Sequence, residues 1–273
     1  MIQLIASDMD GTLLLPYTSQ VSDQAKEQID RLIQHGVLFC PASGRQYPNL
    51  KMLFEPLGDR IPYICENGAA VLLHGEVIAS APMERTPCEE LLRDIQGQDG
   101  YELQVNVVHT CYLQPKDEAY LHLMRDQVKN HVTVVDDIFS IMDQPILKIS
   151  IYCADGFSQQ YLDWIQGKYG HIFQVLQTSP NFIDATAPGI SKGWGMEQLA
   201  RHLQIPFADT LAMGDHNNDR EILSLVGHPV AMQNGLPEIQ ALAERTIPRV
   251  EDFLEELLQA IEEDREEAFF SQK

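Results

Sequence analysis

Cysteine is scarce in this 273-residue chain and poorly arranged for cross-linking: Cys40, Cys65, Cys88, Cys111 and Cys153 are odd in number, scattered, and form no Cys-x-x-Cys pair. That excludes a disulfide framework and predicts reduced, mostly buried thiols in a cytoplasmic protein. Positive charge is also in short supply. The formal net charge is −21, and the resulting field repels nucleic-acid backbones and anionic membranes as general partners. An anionic substrate must therefore be met by local groups. No apolar run is long enough for a signal or a membrane span, and no basic stretch precedes the first apolar residues. Nothing targets the chain elsewhere, and it contains no internal repeat or low-complexity segment.

The apolar residues that are present, 44% of the chain, suffice for one large core or two modest ones. Much of the acid excess lies at residues 251–267, where nine acidic residues face the single Arg265. Leu254, Leu257, Leu258 and Ile261 recur there at helical spacing, so the stretch predicts a helix with a solvated acidic face and an apolar face docked on the body.

The opening apolar run, Ile2 to Ala6, ends in Ser7-Asp8-Met9-Asp10-Gly11-Thr12. Two carboxylates two residues apart on an extended strand point the same way, and Gly11 lets the chain turn away, so Asp8 and Asp10 are expected to share one pocket. Their mutual repulsion calls for a cation. Next come a helix from Ser22 as N-cap to Gly36 as stop, a strand over 37–40, a helix over 47–57 and a strand over 61–65. Strand-helix-strand grammar returns late, with helices over 195–203 and 219–225 and strands over 210–213 and 230–232. Both stretches read as crossover units on a parallel sheet.

Between them the pattern changes. Leu103, Val105 and Val107 alternate, as do Leu147, Ile149 and Ile151 against Lys148, Ser150 and Tyr152. This suggests a sheet with one face solvated or covered only by helices, and helices are expected over 118–128 and 157–168. The economical account is an α+β domain, residues 83–188, inserted into a discontinuous α/β domain of residues 1–82 and 189–273. Pro82, Pro87, Pro188 and Gly189 lie at the seams.

Three further segments, Pro41-Ala42-Ser43-Gly44-Arg45, Ile190-Ser191-Lys192-Gly193 and Met213-Gly214-Asp215-His216-Asn217-Asn218-Asp219, follow or flank strands of the discontinuous domain. Ligands gather at the carboxyl ends of strands in open α/β sheets, so these residues can converge on Asp8 and Asp10. Each has a plainer reading. Asp8 and Asp10 fit a solvated turn, Lys192 a surface lysine at a helix start, and residues 214–219 a helix cap. Arg45 either meets substrate or pairs with a surface acid, His216 faces solvent, and Asn67-Gly68 is a structural turn.

Taken together in this order and spacing, the four motifs resemble those of the haloacid dehalogenase superfamily, specifically its Cof-type phosphatases with a type IIB cap, over essentially the whole chain. The resemblance implies a Rossmann-like core with an inserted α+β cap that closes over the substrate. It implies that Asp8 is the nucleophile forming an aspartyl-phosphate and Asp10 the general acid and base. Mg²⁺ would be held by Asp8, the backbone carbonyl of Asp10, and Asp215. Ser43, the Gly44 amide, Lys192 and Asn218 would bind phosphate, with Asp219 and Arg45 supporting. The chain departs from the family pattern in having Ser43 for threonine, Arg220 for an apolar residue, Gly235 for alanine, and no Asn/Asp-Gly pair within 246–250.

The implied activity is Mg²⁺-dependent hydrolysis of small phosphate monoesters, sugar phosphates or phosphorylated cofactors, by a monomer or weak homodimer. The alternatives are a sugar phosphomutase and a non-catalytic phosphometabolite sensor. A dehalogenase is disfavoured because it has no need of Asp10. Tyr101, Tyr112 and Tyr120 offer stacking surfaces in the middle third, or belong to core and surface.

Overall fold

The computed structural model describes residues 1–15 and 19–271, and it divides into two compact units. One comprises Met1–Arg45, Leu50–Ala79 and Ser191–Lys273; the other comprises Gln46–Asn49 and Ser80–Ile190.

In chain order the first unit opens with β1 (Leu4–Ser7), α1 (Asp23–Gln34) and β2 (Leu38–Pro41). Ser22 caps α1 by accepting a hydrogen bond from the Ala25 amide at 3.1 Å. Helix α2 (Tyr47–Leu53) is shorter than the expected 47–57, because Pro56 has no N–H to donate back to the helix. Next are β3 (Tyr63–Cys65), β4 (Ala70–Leu73) and β5 (Glu76–Ser80). Strand β3 departs from the expected parallel sheet. It meets β2 only through a parallel bridge between Ala42 and Ile64, and pairs antiparallel with β4 in a separate three-stranded sheet.

The second unit contributes α3 (Arg85–Gln96), β6 (Glu102–Asn106), β7 (Cys111–Leu113) and α4 (Glu118–His122), whose last residue leads into a π-helical turn. It continues with β8 (Val132–Val134), β9 (Lys148–Tyr152), α5 (Gln159–Tyr169), β10 (Gln174–Ser179) and β11 (Phe182–Thr186). Its sheet has the order β10-β11-β9-β6-β7-β8, antiparallel except where β7 meets β8. One face, with Leu103, Val105, Ile149, Ile151 and Ile183, packs on α3 and α5. The other face is not solvated. Gln104, Asn106, Lys148, Ser150, Asp184 and Thr186 are none of them more than 7% exposed. Buried polar groups need partners, and these have them: Gln104 donates to Asn106 Oδ1 at 2.6 Å, Ser150 donates to Asp184 at 2.6 Å, and Lys148 pairs with Asp184 at 3.3 Å. Tyr101 and Tyr112 are partly buried and pack on the core beneath α3 and α5, Tyr101 stacking on Tyr161, whereas Tyr120 is buried in a second, smaller cluster and stacks on Tyr152.

Back in the first unit, α6 (Lys192–Leu203), β12 (Thr210–Gly214), α7 (Arg220–Leu225), β13 (His228–Met232), α8 (Pro237–Gln240), β14 (Arg245–Ile247), α9 (Val250–Glu262) and α10 (Glu266–Ser271) complete the chain. The five-stranded sheet has the order β14-β13-β12-β1-β2 and is parallel throughout, so β1 is an interior strand between β12 and β2. Leu254, Leu257 and Leu258 of α9 are fully buried. At about 1.5–3 kcal/mol per buried side chain, they outweigh like-charge repulsion along the helix at a few tenths of a kcal/mol per pair. The acidic face is not simply solvated either: Arg31 of α1 bonds Glu255 at 3.1 Å and Glu262 at 2.7 Å.

Candidate active site

The parallel sheet delivers three chain ends to one edge. β1 runs into Asp8, β12 into Asp215, and β2 into Ser43. Asp8, Asp215 and Asp219 each place a carboxylate oxygen within 4.8 Å of the others. Lys192, the first residue of α6, reaches in with its entire side chain buried, bonding Asp8 Oδ1 and, at 2.7 Å, Asp219 Oδ1. The surface-lysine reading therefore does not hold. Ser191 caps α6 by accepting from the Trp194 amide, which fixes the start of the helix and with it the origin of the Lys192 side chain.

Asp219 is fully buried, and its other oxygen accepts from the backbone amides of Asp215 and His216 at 3.0 and 3.1 Å. It thus shapes the loop carrying Asp215 while holding Lys192. Thr12 donates to Asp215 Oδ1 at 3.0 Å, and Asn234 donates to the Gly11 carbonyl at 2.8 Å. Gly11 sits at φ +94°, and a Cβ there would lie 2.3 Å from Asp215 Oδ2, so only glycine allows this approach.

Asp10 lies beyond the last residue of the strand, where strand alternation no longer sets its direction. β1 ends at Ser7, and a turn follows in which the Thr12 amide donates to Met9 and the Leu14 amide to Met9. The two-residue period is lost there, and Asp10 points to Arg45, which grips both its oxygens at 2.8 and 2.6 Å. Arg45 therefore meets an acid, and that acid is the candidate proton donor. Ser43 is buried, with its hydroxyl accepting from the Arg45 amide at 3.2 Å. Asn218 is half-buried and makes no side-chain hydrogen bond among the described residues, whereas His216 is exposed.

The electrostatics of the cluster are those of a site short of positive charge. Burial pushes the Asp8 carboxyl well above the usual carboxylate range; Lys192 opposes this, and Asp219 and Asp215 add to it. Asp215 is raised by burial and by Asp219. Burial alone would lower Lys192, but Asp219 and Asp8 overcome it and hold the ammonium charged. Three carboxylates surrounding one ammonium, all with oxygen donors, fit a hard divalent cation such as Mg²⁺.

Asp219, expected to support Lys192, does bond it and also stands within the carboxylate cluster. One contributor escapes the sequence reading. Asn234 lies 223 residues from Gly11, and no local pattern points to it.

This arrangement of motifs on a parallel sheet has counterparts among known proteins. Residues 5–253 match the family of haloacid dehalogenase-like hydrolases. The chain belongs to that family, within its Cof-type phosphatases, and is an enzyme of that class. It is 24% identical to the 5-amino-6-(5-phospho-D-ribitylamino)uracil phosphatase YbjI of Escherichia coli K12, covering 89% of each chain. It is 28% identical to the HMP-PP phosphatase of Cronobacter sakazakii, covering 88% of each. A solved sugar phosphatase of HAD subclass IIB, BT4131, superposes with a TM-score of 0.76 at 20% identity, over 96% of this chain and 98% of the other. No helix among the described residues is long and apolar enough to cross a membrane.

Proposed function

We propose that the chain is a Mg²⁺-dependent phosphatase of small phosphate monoesters, sugar phosphates or phosphorylated cofactors, acting in the cytoplasm through an aspartyl-phosphate at Asp8. The observation that carries this reading is the fully buried Lys192 shared between Asp8 and Asp219, beside Asp215. A buried ammonium at a carboxylate nucleophile serves a reaction in which a dianionic group arrives and needs its charge met.

Asp8 attacks phosphorus. The bond to the ester oxygen breaks with its electron pair, and the departing oxygen takes a proton from Asp10. Water then attacks the phosphorus of the acyl phosphate and gives a proton to Asp10, and the Asp8 carboxylate leaves, restoring the enzyme and releasing phosphate. Asp8, Asp215 and the Asp10 backbone carbonyl would hold Mg²⁺, which supplies positive charge to the phosphoryl oxygens. Ser43, the Gly44 amide, Lys192 and Asn218 hold those oxygens, and Asp219 keeps Lys192 in place. Arg45 orients Asp10. Selection among substrates we assign to residues 83–188, inserted between the core segments 1–82 and 189–273. The protein is a monomer or weak homodimer. The names of the relatives support the substrate class, since the Escherichia coli enzyme is named for a phosphoribityl compound.

The test is phosphate release from sugar phosphates, pyridoxal phosphate, nucleoside monophosphates and p-nitrophenyl phosphate, with Mg²⁺ or EDTA, by wild type and Asp8→Asn. Turnover requiring both Mg²⁺ and Asp8 is expected. Transfer to a second sugar in excess of hydrolysis would replace the reading with a mutase, and tight phosphate binding without turnover would replace it with a sensor.

A further inference from the structure

Glu66, Asn67 and Gly68 occupy the left-handed region in succession, at φ +51°, +57° and +103°. The commonest turns need at most one such residue; Asn and Gly adopt the conformation readily, whereas in Glu it is uncommon. The run is therefore held against the preference of its first member, by contacts on both sides. On one side it is tied to the loop after β2. The Glu66 amide donates to the Arg45 carbonyl at 3.1 Å, the Asn67 amide donates to the Ser43 carbonyl at 3.0 Å, and the Ser43 amide donates to the Ile64 carbonyl at 2.9 Å. Asn67 lies so near Gly44 that a Cβ there would stand 2.9 Å from its Oδ1. On the other side the run abuts the start of α6. A Cβ on Gly68 would lie 2.0 Å from the Ser191 carbonyl oxygen and 3.1 Å from the Lys192 amide nitrogen.

We propose that residues 66–68 are a positioning element whose Asn67 and Gly68 set the spacing between the Ser43–Gly44 loop and Lys192, the two segments that grip the phosphoryl group. The inference rests on the phosphatase reading and deepens it, giving a function to a turn that the sequence presents as merely structural. The two segments lie far apart in the chain, and a single rigid wedge locks their separation. Neither residue touches substrate; each acts through the groups it places. Misplacement by about 1 Å at such a site can cost about a hundredfold in rate.

Two variants test it. Gly68→Ala drives a methyl group into the Ser191 carbonyl; Asn67→Gly keeps the left-handed backbone and removes only the side chain lying on Gly44. The measurements are kcat and KM, the competitive inhibition constant of inorganic phosphate, the Mg²⁺ concentration for half-activity, and the melting temperature. Gly68→Ala is expected to lose about a hundredfold in kcat and to weaken phosphate inhibition about tenfold, while Asn67→Gly loses about tenfold in kcat with a melting temperature close to wild type. In both, the Mg²⁺ dependence stays near wild type, since Asp8 and Asp215 are untouched. Phosphate inhibition and kcat equal to wild type per folded molecule, with only the melting temperature lowered, would overturn the proposal. Should Gly68→Ala not fold, Asn67→Gly decides alone. Asp8→Asn separates the two readings: activity persisting there defeats the phosphatase reading itself, whereas an inactive Asp8→Asn beside unaffected residue-67 and residue-68 variants defeats only the wedge.

Discussion

The two large sheets handle polar groups in opposite ways. In the parallel sheet β1, β2 and β12 are largely apolar, and the polar groups of the cluster begin where these strands stop, at Asp8, Ser43 and Asp215. In the six-stranded sheet the polar groups sit within the strands, on the face that carries Lys148, Ser150 and Asp184. A parallel sheet covered on both faces leaves polar chemistry only its edge, where loops can be reshaped without repacking the interior. An antiparallel sheet can give a whole face to it, at the cost of satisfying every group there.

The sharpest break of this contrast is to remove the cation from each cluster. Lys192→Met leaves Asp8 and Asp219 buried and uncompensated, and we expect a loss of about 3–5 kcal/mol in urea denaturation, together with loss of turnover. Lys148→Met should cost less, about 1–3 kcal/mol, because Asp184 keeps its bond from Ser150. Equal costs would erase the distinction between an edge cluster with one ammonium among three carboxylates and a face whose polar groups satisfy one another.

Breaking the Asp10–Arg45 pair sharpens the description of the edge cluster. Arg45→Ala should slow hydrolysis of alkyl phosphates by about tenfold or more while p-nitrophenyl phosphate, whose leaving group needs little protonation, changes less. An equal fall on both substrates would mean that Arg45 serves phosphate rather than Asp10.

Thiol chemistry tests how dry the interiors of both units are. All five cysteines are buried, and burial pushes the Cys88 thiol of the inserted unit up to about 12 and raises Cys40 and Cys65 of the core. An aromatic disulfide reagent at pH 8 should find almost no thiol in the folded protein and five after denaturation. Rapid labelling confined to Cys88, Cys111 and Cys153 would identify the inserted unit as the looser one.

The smallest effect belongs to the surface. Hydrogen bonds from Gln28 and Arg31 hold Glu255 below the usual carboxylate range. A carboxylate depressed on folding contributes stability above its unfolded pKa and loses it as pH falls through the folded value. Arg31→Ala should therefore lower the melting temperature slightly at pH 7, by about 0.2–1 kcal/mol in stability, with the difference from wild type vanishing in acid.

Much of this was legible beforehand, for physical reasons that differ by element. Helix α1 announces itself through Ser22, Gly36 and a 3.6-residue repeat, and the motifs around Asp8 and Asp215 are contiguous because strand ends are contiguous. The polar face of the inserted sheet was visible as alternation in Lys148 and Ser150, but whether that face is wet depends on what covers it, and a strand does not encode its cover. The pairing of Asp10 with Arg45 was not legible because β1 stops at Ser7, and past its end strand alternation no longer sets the direction of a side chain. Asn234 depends on a contact 223 residues long.

The pairing of β1 has a consequence for how the chain is made. Its partner on one side, β2, follows within 34 residues, but on the other side Ile5 pairs with Leu211. At about 5–20 residues per second, a ribosome needs about 10–40 s to deliver the missing neighbour. Through that interval the strand leading to Asp8 has an open edge, whereas the unit encoded in between can complete its own sheet as soon as it emerges. Assembly, unlike synthesis, thus runs from the insertion outward: the segment that interrupts the first unit can finish first, and the edge that carries Asp8 closes only when the late strands arrive.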